Sequence, residues 1–353
     1  MPGARYGMIG RRQYPGSRIR HPSGQPFAEG PGEGMGITLR DLAAACGVDI
    51  STVSRALRDD PRVKAATRER VRIEAERLGY HPNLAARSLA HGRTRTVWFI
   101  LASLQSQREQ EPAQHASLQL RARGYDLLVA LYHGDPDAYR RTLRRLSQGV
   151  TDGAIVLPGP QDETAAFKPL VERNYPLIFV DRHVEGLPIP VVTSRNAEGA
   201  RELLRRCLRR GARSSVVLFG AGNPVEESRR DAALAHARKR GLPFVHGQVS
   251  PDILARLPEP IAFLASAQYT VQQFLAQHAM ALQGRRMCFG VFDEWRGEPY
   301  PGDAAFVCVQ DFAQMARVAV DQLLATIDGR RKLRAQKTEI PPAEYRTILP
   351  RFR

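Results

Sequence analysis

The 353-residue chain is long enough for two or three domains with a sizeable core, and its 43% hydrophobic content is ordinary for a globular protein. Its formal charge of +16 points to a polyanionic partner, nucleic acid or an anionic membrane surface, with a solubility charge spread over all faces as the alternative. No apolar run approaches the roughly 18 residues that span a bilayer, no apolar stretch follows the N-terminal arginines as in a secretory signal, and Cys46, Cys207, Cys288 and Cys308 form no C-x-x-C pair, so they read as buried, reduced thiols of a cytoplasmic protein without a metal or other cofactor.

Residues 1–35 are rich in Gly, Pro and Arg and lack apolar periodicity, so a disordered basic extension is expected. Met35 is an alternative start of translation; the other reading of the stretch is an arm that tracks phosphates. Residues 36–81 then read as a short, basic helical domain. Thr38 with Asp41 makes a capping-box start for a helix carrying Leu39, Leu42 and Ala43. Gly47 supplies the tight turn, and Asp49 caps a second helix over residues 50–57. That helix turns Val53, Ala56 and Leu57 inward and Ile50, Ser51, Thr52, Ser54 and Arg55 outward. A short polar face ending in arginine suits a recognition helix in a major groove. Arg55 can pair bidentately with a guanine edge, worth about 1–3 kcal/mol of discrimination. Thr52 and Ser54 can reach a phosphate or a base, and Ile50 a thymine methyl group. An ordinary surface helix pair is the competing reading. A third helix over residues 64–78 closes the core with Val71, Ala75 and Leu78 and ends at Gly79. Pro82 opens a run of helix formers too short to be stable alone, within a hinge and linker over residues 82–95.

From residue 96 to 350 the pattern alternates. Apolar strand-like runs fall at residues 97–101, 127–130, 154–157, 177–180, 216–219, 261–264 and 288–291, with amphipathic helical stretches such as 197–210 and 225–240 between them. Such alternation implies parallel sheets covered on both faces, here as two α/β lobes. A further edge strand is expected at residues 345–349.

The blocks Ile37-Thr38-Leu39-Arg40-Asp41-Leu42-Ala43, Gly47-Val48, Thr52-Val53-Ser54-Arg55-Ala56-Leu57, Thr67-Arg68-Glu69-Arg70-Val71, Leu78-Gly79-Tyr80-His81-Pro82-Asn83 and Ala86-Arg87-Ser88-Leu89 resemble the LacI/GalR family of bacterial regulators. The resemblance extends over about residues 35–348. It implies an all-α helix-turn-helix domain joined to a two-lobed α/β domain of the type I periplasmic-binding-protein kind. It further implies a homodimer, or a higher oligomer, on a pseudo-palindromic double-stranded DNA operator, acting as a repressor. Thr38, Asn83, Ala86, Arg87 and Leu89 join the DNA-binding set on the same ground. Residues 84–89 would be a hinge helix that folds when two meet in the minor groove, Leu89 being the wedge that unstacks a base step. Asp49 stands where the family has serine, adding negative charge near phosphates. Lys64 replaces a capping serine, which weakens the start of the third helix.

Among the lobes, Gly149-Val150-Thr151-Asp152-Gly153-Ala154-Ile155 and Pro176-Leu177-Ile178-Phe179-Val180-Asp181-Arg182 carry the resemblance. It implies a ligand between the lobes, at strand C-termini, with Asp181, Arg229 and Asp293 as contacts and Ser103 as a weaker one. A helix-capping carboxylate or a solvated arginine is the plain alternative at each. The family's Asn-Asp is replaced by Ala267-Gln268, and its Gly-Phe by Ala232-Ala233. The C-terminal half is similar to the fructose catabolite repressor subgroup. With Arg182, Arg229 and Arg230 nearby, a sugar or sugar-phosphate effector is expected, and a pocket that has lost small-molecule sensing is the alternative. A solute-binding protein is the reading from another class. No nucleophile elbow, phosphate-binding Gly-rich loop or metal cluster suggests an enzyme, and Gly220-Ala221-Gly222 is too short a signal for a nucleotide site.

Overall fold

Thr38 and Asp41 start the first helix as their spacing predicts in the computed structural model, which describes residues 37–80, 92–159, 164–296 and 304–349. The Asp41 carboxylate accepts the Thr38 amide at 2.8 Å, and the Asp41 amide donates to the Thr38 hydroxyl at 3.3 Å. The helix α1 (Leu39–Cys46) ends at Gly47, whose φ of 61° is the left-handed conformation that turns the chain into α2 (Ile50–Ala56). Asp49 caps α2. The third helix, α3 (Ala65–Leu78), begins at Lys64 without any side-chain cap, the weakness expected from that substitution. Leu42, Val53 and Val71, one from each helix, are fully buried against one another with Ala43, Cys46, Ala56, Val63 and Ala75, while Leu57 and Leu78 pack at the margin. The expected extension at residues 1–35 and the hinge at residues 84–89 lie outside the described residues.

The chain falls into two units, dividing between Leu84 and Ala85. The second unit contains two six-stranded sheets. The first sheet is built from β1 (Thr96–Leu101), β2 (Asp126–Leu131), β3 (Gly153–Val156), β4 (Leu177–Val180), β5 (Val191–Ser194) and β11 (Lys337–Ile340). The second is built from β6 (Ser214–Val217), β7 (Phe244–His246), β8 (Ile261–Ala265), β9 (Met287–Phe292), β10 (Ala304–Val309) and β12 (Glu344–Ile348). Their orders are β11-β5-β4-β3-β1-β2 and β12-β10-β9-β8-β6-β7, parallel throughout except for the antiparallel edge strand β12.

Helices cover both faces of each sheet. On the first, α4 (Gln107–Arg121) and α12 (Phe312–Ile327) pack on one side, α5 (Pro136–Leu146) and α6 (Thr164–Glu172) on the other. On the second, α7 (Asn196–Arg209) and α8 (Pro224–Lys239) oppose α9 (Pro251–Arg256), α10 (Gln268–Gln277) and α11 (Ala279–Leu282). The chain crosses between the lobes three times: from β5 to α7, from β10 to α12, and from β11 to β12. No described helix is long and apolar enough to cross a membrane.

The strand over 216–219 is displaced to Ser214–Val217, because Ser214 and Ser215 are themselves buried and the Ser214 hydroxyl donates to the Pro258 carbonyl at 2.6 Å. The covered-strand pattern also fails at β2, an edge strand that leaves Leu128 and Val129 almost half exposed. Four strands escape the apolar pattern. β5 and β11 carry Thr, Ser, Lys and Glu, β7 has three residues, and β10 begins with two alanines.

Gly290, in the middle of β9, has a different role from the turn glycines. A Cβ there would lie 2.6 Å from Leu264 Cδ2 and 3.0 Å from Leu203 Cβ, so α7 can approach the sheet only over a glycine. Gly290→Ala is expected to destabilise the second unit by about 1–3 kcal/mol through overpacking. Conversely, Lys64→Ser should stabilise the first unit by about 0.5–1 kcal/mol by capping α3. Urea unfolding of the variants against the parent chain measures both.

Candidate nucleic-acid interface and ligand cleft

The exposed face of α2 presents Ile50, Ser51 and Arg55, with Thr52 and Ser54 half-buried beside them. The Arg55 guanidinium forms no hydrogen bond or ion pair with a described residue and is free to reach outward, whereas Arg58 folds back to donate to the Ser54 carbonyl at 2.9 Å. Asp49 does more than cap. It accepts the Thr52 amide at 3.0 Å, the Thr52 hydroxyl at 2.6 Å and the Ser51 hydroxyl at 2.5 Å. Those bonds, the Ser51 hydroxyl foremost, hold its carboxyl well below the usual range, so it stays ionised. Two hydroxyls expected to contact DNA are therefore already donating to a carboxylate. Thr38 likewise gives its hydroxyl proton to Asp41 at 2.7 Å. Asn83, Ala86, Arg87 and Leu89 lie outside the described residues.

In the second unit, a cleft of about 830 Å³ opens where the strands end. One wall is the start of α4, residues 105–110. The other is formed by Leu218, Gly220 and Glu226, the start of α10, and the segment after β9. Asp181 and Asp293 follow β4 and β9 in equivalent ways. Both hold positive φ, 73° and 68°, unusual for a residue with a side chain. Each donates its amide to the next strand at 2.9 Å, Asp181 to the Val192 carbonyl and Asp293 to the Cys308 carbonyl. Asp181 is buried, and neither carboxylate oxygen has a hydrogen-bond partner; Arg182 Nε is its nearest ion-pair neighbour at 3.5 Å. Asp293 accepts from Gln310 Nε2 at 2.7 Å. Burial pushes its pKa up to about 6, against the pull of Arg229, the Gln310 bond and Arg108.

Arg229 is fully buried in α8. Its Nε donates to Asn196 Oδ1 at 2.8 Å and its Nη1 to Ser266 Oγ at 2.9 Å, while the guanidinium stands 3.6 Å over the Phe292 ring. Burial lowers its pKa, opposed by Asp293, Glu226 and Asp181. Arg229 lies inside the helix, one turn from its start. Its Nε and Nη1 are hydrogen-bonded, and its buried Nη2 is left without a hydrogen-bond partner.

Ser103 is half-buried and gives its hydroxyl to Glu109 at 2.9 Å, which also caps α4. Arg230 pairs with Asp231; of the expected contacts Asp293 lines the cleft wall, whereas Ser103, Asp181, Arg182, Arg229 and Arg230 do not. Sequence reasoning missed Arg108. Burial opposes its charge, but Asp181, Asp293, Glu226 and Glu109 together outweigh that and raise its pKa. Its Nε is buried and unpaired. It follows β1 as Arg229 follows β6, so each lobe supplies one arginine and one aspartate. The signal was present in Ser106 and Glu109, a capping box placing a helix start directly after the first strand. Gln268, which stands in the altered Asn-Asp pair, is spent internally. Its Oε1 accepts the Arg296 amide at 2.6 Å and its Nε2 donates to the Arg296 carbonyl at 2.9 Å. Among the described residues no cluster of His, Cys, Asp and Glu suits a metal, and all four cysteines are buried and free.

Residues 38–83 match the family described as bacterial regulatory proteins, lacI family. The chain is 29% identical over 329 residues to the HTH-type transcriptional regulator PtxS of Pseudomonas plecoglossicida, covering 85% of this chain and 94% of that one. It is 27% identical over 208 residues to the ribose operon repressor of Bacillus subtilis (strain 168), covering 59% of this chain and 62% of the repressor. Among solved structures, the lac repressor dimer bound to operator and the anti-inducer ONPF superposes with a TM-score of 0.70 at 18% identity, over 90% of this chain and 98% of that one. The Cra regulator of Pseudomonas putida in complex with fructose 1-phosphate gives 0.58 at 20% identity, over 72% and 99%. At these identities the structures establish the shared fold. Residues 38–83 thus match the lacI family, and over most of its length the chain is similar to a transcriptional regulator and shares the fold of the lac repressor.

Proposed function

We propose that the chain is a cytoplasmic, non-enzymatic transcription repressor that binds a pseudo-palindromic operator as a homodimer and is controlled by a sugar or sugar-phosphate-like effector in the cleft of its second unit. The DNA-binding half of the reading rests on the lacI-type region, whose second helix turns an unencumbered Arg55 outward. In this reading Ile50, Ser51, Thr52, Ser54 and Arg55 meet the major groove, Thr38 a phosphate, and Asn83, Ala86, Arg87 and Leu89 the minor groove.

The effector half rests on the cleft that Arg108 and Asp293 line, and on buried polar atoms without hydrogen-bond partners among the residues around them. Asp181 offers its carboxylate and Gln310 its Oε1 as acceptors, while Arg108 Nε and Arg229 Nη2 are donors; Arg182 Nε stands as an ion-pair neighbour of Asp181 at 3.5 Å. Leaving such groups unpaired costs about 1–3 kcal/mol each. A ligand that both donates and accepts satisfies them, as a polyhydroxylated molecule with an anionic group does. Sugars, sugar phosphates and sugar acids are the compounds to screen by calorimetry, and the absence of binding by all of them would refute this half. A second reading, a regulator whose pocket no longer senses a small molecule, is favoured by the Gln268 amide being closed onto Arg296. A genome-wide map of bound sites identifies the operator and, through the neighbouring genes, the metabolite to test.

Arg55→Ala should cost about 1–3 kcal/mol at the operator and leave salt-sensitive nonspecific binding in place; titration of operator and scrambled duplexes across a salt series checks this. Asp49→Ser removes a carboxylate and releases the Ser51 and Thr52 hydroxyls, so duplex affinity should rise several-fold at low salt and less at high salt. Asp293 carries a pKa raised to about 6 from 3.8, so the folded state holds its proton more tightly than the unfolded state. Its contribution to stability therefore grows as the pH falls from about 6 towards 4 and is lost as the pH rises through 6. Asp293→Asn should remove that dependence and gain stability relative to the parent at pH 7, as thermal unfolding across this range would show.

A further inference from the structure

We propose that Asn196 is the positioning residue of the cleft, joining the buried Arg229 of one lobe to the buried Asp181 loop of the other. This rests on the reading of the cleft as the effector site and adds how its two lobes are coupled. Asn196 opens α7, immediately after the first crossover, and is 5% exposed. Each end of its amide faces a different lobe. Oδ1 accepts from Arg229 Nε at 2.8 Å in the second lobe. Nδ2 donates to Thr193 Oγ1 at 3.2 Å and to the Ser194 carbonyl at 3.0 Å, both on β5 of the first lobe. Thr193 Oγ1 in turn donates to the Asp181 carbonyl at 2.5 Å. The amide cannot be turned round, because a guanidinium only donates and must meet the oxygen.

An unbroken series of hydrogen bonds thus runs from Ser266 through Arg229, Asn196 and Thr193 to Asp181. Every link is buried or half-buried, where a hydrogen bond is strengthened and a broken one is costly. Arg229 has no carboxylate closer than Glu226 Oε1 at 4.0 Å, so the neutral Asn196 oxygen and the Ser266 hydroxyl fix its plane above Phe292. A ligand that takes hold of Arg229 Nη2 therefore acts, through Asn196, on the backbone carrying Asp181. The amide does not serve as a helix cap: Asn196 is the first helical residue, and its side chain bonds backward to β5 and across to α8.

The two ends of the amide separate by substitution. Asn196→Asp keeps the acceptor for Arg229 and loses both donors; Asn196→Leu loses everything; Thr193→Val breaks the link to Asp181 with Asn196 intact. In the full-length chain, proton exchange of Arg229 Nε–H is followed by NMR with labelled arginine, and amide exchange of residues 181–183 by mass spectrometry. Asn196→Leu should speed exchange at both places by roughly tenfold or more, the size expected for losing a hydrogen bond to a charged group. Asn196→Asp and Thr193→Val should speed it at residues 181–183 and leave Arg229 protected. Equal effects of all variants at both places, as general destabilisation produces, would overturn the proposal, as would Arg229 protection that survives Asn196→Leu. If Asn196→Leu does not fold, the Asp and Val variants still decide between the patterns. Neither measurement needs a ligand, so a cleft that binds nothing would defeat the functional reading and leave this result standing.

Discussion

A parallel sheet presents the carboxyl ends of all its strands at one edge, and three passages of the chain between two such sheets hold those edges against a common cleft. Everything chemical in the second unit depends on that constraint. β4 and β9 deliver Asp181 and Asp293 with the same left-handed backbone turn and the same amide bond to the next strand. β1 and β6 are followed by helices that bring in Arg108 and Arg229. Holding two carboxylates and two guanidinium groups out of water is expensive unless they are paired or hydrogen-bonded. The atoms among them without hydrogen-bond partners are what the proposed effector reading accounts for.

Arg229 shows how such a charge is retained. Burial alone would favour its neutral form, and it is kept in place by an amide oxygen, a hydroxyl and an aromatic face, with carboxylates at longer range. The direct partners are neutral, so the charge is oriented without being cancelled. Asp293 illustrates the converse. Burial raises it towards neutrality, and a Gln310 donor helps to keep it ionised. In the first unit the same economy operates on a smaller scale. Asp49 starts α2 by accepting two hydroxyls and an amide, and so places a carboxylate on the outward face of the helix, the face proposed to meet DNA. Helix stability and DNA affinity draw on the same side chains there.

The helix-turn-helix was legible because its determinants are local. Thr38 with Asp41, Gly47 and Asp49 act within four residues of themselves, and the burial of Leu42, Val53 and Val71 follows from helical periodicity. The central strands were legible for the related reason that a strand covered on both faces is apolar at every position. Where that condition fails the pattern fails: Ser214 and Ser215 are buried with hydroxyls, β2 has an open side, and β5 and β11 carry polar residues beside the crossovers. Of the candidate site residues, Asp181 and Asp293 were named by the family resemblance, since a carboxylate after a strand alone reads as a helix cap. Arg108 was not, since one arginine in a glutamine-rich helix start looks solvated.

By itself the sequence determined the two architectures, the order of most elements and the face of α2 turned outward, because each follows from contacts between residues near in the chain or from a periodicity that repeats along it. Only the tertiary structure decided what the polar residues do to one another. That Asn196 holds Arg229, 33 residues away, and that Gln268 is closed onto the backbone of Arg296 follow from packing within the second lobe, and that Arg108 shares the field of Asp293 follows from the crossings between lobes. Hydrogen bonds and charges act over a few ångströms of space, and their partners come together only once the chain has folded back across itself.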